Sequence, residues 1–131
     1  MKKQLCARNG LGIGVIGIAL VILAQAFNSF ACYKHDFGKF LEALGFVAFP
    51  MLPGIVALFT KSPYRAFGAS VLFLPWLLFA YHTDCGSTNQ GGGASMVYVA
   101  VVLWGFPCAL IGALFTPKIN CNTPQSSKNA A

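Results

Sequence analysis

The sequence predicts an all-α integral membrane protein, a four-helix bundle with both termini on the cytoplasmic side. Three observations carry that reading. The nine basic and three acidic residues leave segments 10–33, 43–60, 66–81 and 85–117 free of Lys, Arg, Asp and Glu, and a bilayer core about 30 Å thick takes roughly 20 apolar residues per helix. With an inside N-terminus, Lys2, Lys3, Arg8, Lys61, Arg65, Lys118 and Lys128 all fall inside and only Lys34 and Lys39 outside, a positive-inside bias. The acids Asp36, Glu42 and Asp84 all fall outside. At 131 residues and 56% hydrophobic, the chain has room for one transmembrane domain, 1–118, and no separate soluble domain.

The first helix is expected over 10–30. Its basic start and the small-x-small Ala24-Gln25-Ala26 resemble a signal peptide, but the uncharged run continues past them, which favours a retained helix. Gly10, Gly12, Gly14 and Gly17 occupy its inner half, and Gly10 and Gly14 share a face where backbones can approach closely. Gln25, Asn28 and Ser29 share a face in the outer half. Polar side chains so placed turn inward, either to bond a neighbouring helix or to line an outward-facing cleft.

The second helix is expected over 37–60 with Asp36 as its N-cap. Glu42 near its start suits the helix dipole and reaches water. Pro50 and Pro53 withhold two amide donors at its middle, freeing the carbonyls of Phe46 and Phe49. The third helix, 66–82, carries Pro75 and the fourth, 94–115, carries Pro107. Trp76 and Trp104 lie at similar depth, away from the interfacial belts where Trp is usual. Each indole N–H wants an acceptor, so the proline-bearing sides of helices two to four, at Pro50, Pro53, Pro75 and Pro107, are expected to face the bundle interior, with one or both of Trp76 and Trp104 turned inward. Gly105, Ala109 and Ala113 form a close-packing face on the fourth helix.

An internal echo links the halves. Phe49-Pro50 with Ala57-Leu58-Phe59-Thr60 returns as Phe106-Pro107 with Ala113-Leu114-Phe115-Thr116, which leaves open two repeated helical hairpins. Residues 83–93 read as a flexible outer loop, and 119–131 as a disordered cytoplasmic tail.

Function is less legible than topology. The basic residues stand singly or as one pair beside helix ends, so the net charge of +6 reads as orientation and contact with anionic lipid heads, not as a nucleic-acid surface. Cys32 and Cys85 share the outer side and form the natural disulfide pair, while Cys6 and Cys121 face the cytoplasm. His35, Asp36, Glu42, His82 and Asp84 crowd the outer surface, yet their spacing matches no dedicated metal motif, and no metal or other cofactor is expected. Without a Cys-x-x-Cys pair, a nucleophile–base arrangement or a Gly-rich phosphate loop, no enzyme is expected.

The sequence therefore points to a small bacterial-type inner-membrane protein that binds another membrane component through helix faces. It would serve as an accessory subunit or as an immunity-type inhibitor of a membrane-acting toxin, with membrane lipids and a membrane protein, or a second copy, as partners. The contact residues expected are Gln25, Asn28, Pro50, Pro53, Trp76 and Trp104. The alternative is a homo-oligomeric exporter with a midplane site at the proline kinks.

Overall fold

The computed structural model describes residues 2–86 and 94–117. Among them are five α-helices: α1 (Lys2–Phe27), α2 (Phe37–Ala48), α3 (Leu52–Leu58), α4 (Tyr64–Cys85) and α5 (Ala94–Phe115). A π-helical segment, Asn28–Cys32, continues α1. The expected tail at 119–131 and the centre of the outer loop, 87–93, lie outside the described residues.

Two stretches, Arg8–Cys32 and Tyr64–Cys85, are long and apolar enough to cross a membrane, and a third is added if α2 and α3 form one span. The single helix expected over 37–60 is instead broken, with its halves meeting at 80°. Pro50 and Pro53 cause the break, since neither supplies an amide and each ring crowds the preceding turn. The chain re-bonds locally. Leu52 N–H donates to the Phe49 carbonyl at 3.2 Å and Met51 N–H to Val47 at 3.3 Å, so the carbonyl that Pro53 was expected to orphan finds a partner in a tighter turn. The helices expected at 10–30 and 66–82 are longer in the structure, and the one at 94–115 has the expected bounds.

α4 is the central helix, packed most extensively against α5 on one side and α1 on the other. Its buried positions are Ala66, Ala69, Ser70, Phe73, Leu77 and Ala80, a three-four spacing that keeps one stripe facing the core. Contacts advance together along α1 and α4: Gly10 meets Pro63 and Tyr64, Gly17 meets Phe67 and Ser70, and Asn28 meets Leu77. The two helices therefore run parallel. α5 runs antiparallel to α4, with Gly112 against Gly68 at one end and Gly105 against the Phe73 ring further along.

The same stripes explain why two prolines miss the interior. Pro75 lies two residues from both Phe73 and Leu77, and Pro107 two residues from both Gly105 and Ala109, a rotation of about 200° in a helix of 3.6 residues per turn. Both prolines are exposed, whereas Pro50 is fully buried and Pro53 half-buried. The two hairpins also differ. Pro50 ends a helix while Pro107 sits inside one, although the matching Phe49 and Phe106 rings stack at 6.0 Å.

Candidate functional site

The face of α1 that meets α4 is one continuous stripe. Gly10, Gly14, Gly17, Val21, Gln25, Asn28 and Ser29 are all buried, so the glycine face and the polar face recognised in the sequence are two ends of a single seam. At the inner end glycine is required by close approach. A Cβ on Gly14 would lie 2.6 Å from the Pro63 carbonyl oxygen, and one on Gly17 would lie 3.0 Å from the Phe67 Cα.

At the outer end the stripe becomes polar and self-satisfying. Gln25 Nε2 donates to Ser29 Oγ at 3.3 Å, and Asn28 Nδ2 donates to the Leu77 carbonyl of α4 at 3.1 Å. Ser70 returns its hydroxyl to the Ala66 carbonyl at 2.8 Å. Burying an amide without a partner costs about 1–3 kcal/mol, so these bonds account for where the side chains point. Asn28 thus bonds a neighbouring helix, while the Gln25 bond to Ser29 stays within its own helical run.

The π segment continues the buried face of α1, with Asn28 and Ser29 both buried. The widened turn closes through Tyr33 N–H to the Asn28 carbonyl at 3.2 Å, and His35 N–H reaches Ser29 at 2.9 Å. Lys34 between them has φ 50°, the left-handed conformation with which many helices terminate. Asp36 precedes α2 in an extended conformation, but its side chain makes no capping bond, so the expected N-cap supplies position only.

This closure presents Cys32 to Cys85. The two sulfurs are at bonding distance, with Cα atoms 5.8 Å apart and 53 residues between them in sequence. Beside them the Tyr33 hydroxyl donates to the Asp84 carboxylate. His35 stacks on the Tyr33 ring at 5.3 Å, and Phe27 packs against Tyr81 at 5.2 Å. Tyr33 was not singled out from the sequence, and Asp84 only as one of the acids near His35 and His82. The available signal was adjacency, because each follows or precedes a cysteine of the outer pair. Among the described residues no three of His, Cys, Asp and Glu converge.

The midplane residues do not assemble as one group. Trp76 is half-buried against the core, whereas Trp104 is 60% exposed. The centre is filled by Phe73 and Leu77, both fully buried, with Val21, Met51 and Val101 around them. The close-packing face expected on α5 is indeed buried, as Gly105, Ala109 and Ala113. Comparison of the chain with protein families, with curated proteins and with solved structures gives no match.

Proposed function

We propose that the chain is a small, non-catalytic, multi-pass protein of a bacterial-type inner membrane, acting by binding another membrane component through its outward helix faces. In this reading α1, the broken α2–α3 pair, α4 and α5 form a four-helix bundle with both termini inside, as the basic asymmetry favours. The accessory-subunit and immunity-type roles both fit. The observation that carries the reading is the filled centre. Phe73, Leu77 and Pro50 are fully buried large side chains, and such a core supports action by the surface rather than by a path through the middle.

The glycine and polar faces of α1 are turned to α4, so of the contact residues the sequence suggested Trp104 is the one left on an exposed face. The surface left for a partner is offered by Leu41, Phe46 and Phe49 on the broken limb and by Leu103 and Trp104 on α5, all exposed. The exporter alternative draws its support from the 80° break, and with a filled centre it would need a path between copies.

Purification of the native protein in mild detergent with mass measurement separates the two. A stoichiometric partner protein supports the binding role, and a homo-oligomer alone supports the exporter. Orientation is checked by impermeant thiol reagent on intact cells, where labelling of Cys6 or Cys121 before lysis would contradict inside termini.

A further inference from the structure

We infer that the end of the bundle where α4 begins holds the phosphate group of an anionic lipid, with Arg65 as its principal ligand. Arg65 stands in the first turn of α4, three residues before Gly68, and so shares a face with it. Gly68 lies against Gly112 and Thr116 at the end of α5: a Cβ there would come within 2.6 Å of the Gly112 carbonyl oxygen. The arginine is half-buried, and its Nε is shielded with no hydrogen-bond partner. An unpaired, shielded donor on a charged group is costly. Something must compensate it.

Among the described residues no Asp or Glu lies at this end. Asp84 lies 19 residues further along α4, about 29 Å away at 1.5 Å per residue. Asp36 and Glu42 flank the start of α2, at the same far end, where Phe40 packs on Phe30. What surrounds Arg65 is more positive charge. Lys61 is exposed in the turn before α4, and Arg8 is exposed two residues before Gly10, which abuts Pro63 and Tyr64.

The start of α4 adds the positive end of a 22-residue helix dipole, and no side chain caps it. A guanidinium fork matches two phosphate oxygens, whereas the lysine contributes a point charge. A small rotation of the arginine tip, driven by the anion, would bring Nε–H and an Nη–H onto one phosphate.

This site rests on the membrane reading and not on the existence of a protein partner. It is tested on the full chain in neutral detergent by native mass spectrometry and thermal melting, with phosphatidylglycerol, phosphatidylcholine and inorganic phosphate as probes. Phosphatidylglycerol should be retained and raise the melting temperature, and phosphatidylcholine should do neither. Arg65→Gln should weaken phosphatidylglycerol retention about tenfold, Arg65→Lys and Lys61→Gln about threefold, and Lys34→Gln at the opposite end not at all. Displacement of the lipid by millimolar phosphate would show that the phosphate alone suffices, and resistance to it that the acyl chains also hold the lipid. Equal retention of phosphatidylcholine, or wild-type retention by folded Arg65→Gln, overturns the site. If Arg65→Gln does not fold, wild-type retention by both Arg65→Lys and Lys61→Gln overturns it instead.

Discussion

The α1–α4 seam and the α2–α3 limb are built on opposite principles. Along the seam every turn has a residue-specific reason to be where it is: backbone approach at Gly14 and Gly17, an amide-to-carbonyl bond from Asn28 to Leu77, and cysteines apposed at the outer rim. The limb has two prolines, an 80° break and a largely apolar exposed surface. Lipid supplies no hydrogen bonds and little hydrophobic drive between helices, so register has to come from close packing and directional bonds. The seam has both. The limb is held mainly through Val47, Met51 and Ala57, which reach the core, and through aromatic contacts such as Phe49 with Phe106.

That contrast can be broken most strongly at the cystine. Its closure of a loop with 53 residues of sequence separation is worth about 2–4 kcal/mol. Reduction, or Cys32→Ser, should therefore lower the melting temperature in mild detergent clearly, and an unchanged melt with both thiols titratable would show that the seam does not need its lock. Next in size is Gly112→Val, where the new side chain would meet the Gly68 backbone, with the added Cβ 2.8 Å from its carbonyl carbon. Overpacking of this kind costs about 1–3 kcal/mol, read as destabilisation on denaturant titration. Gly12→Val, where a Cβ meets nothing within 4 Å, should stay within about 0.5 kcal/mol of the parent.

A smaller loss, about 1–2 kcal/mol, is expected for Asn28→Leu, since it removes the side-chain hydrogen bond from the π segment to the Leu77 carbonyl of α4. Amide exchange in residues 28–35 should rise in the same variant. If neither changes, the π segment is held by the cystine and not by Asn28. The smallest effect belongs to the limb. Phe49→Ala removes a stack between two exposed rings and should cost less than about 1 kcal/mol, while Trp104→Phe on the α5 surface should leave stability unchanged and reduce partner recovery.

The all-helical class, the long apolar helices about 10–30 and 66–82 and the Cys32–Cys85 pair were legible because each depends on composition or on where the apolar runs end, which a sequence displays directly. The union of Gly10, Gly14, Gln25 and Asn28 into one seam was half-legible. Each pair was visible as a shared face, but their common partner, α4, depends on which helices are neighbours. Pro75 and Pro107 were misplaced for a definable reason. Equal depth was read as a common site, whereas azimuth decides, and azimuth follows from the small-residue stripes centred on Phe73 and Ala109. The break at Pro50 was visible as a kink but not as an 80° bend, because its extent depends on the re-bonding of Leu52 and Met51.

The role assigned to the outward faces is tested most directly by photocrosslinking in native membranes from single positions: Phe46 on the limb, Trp104 on α5 and Ser70 in the seam. Recognition by the outward faces predicts a discrete adduct with another membrane protein from Phe46 or Trp104, and from Ser70 only links within the chain. Adducts with lipid alone from both outward positions, under conditions where the protein is active in the cell, would contradict it.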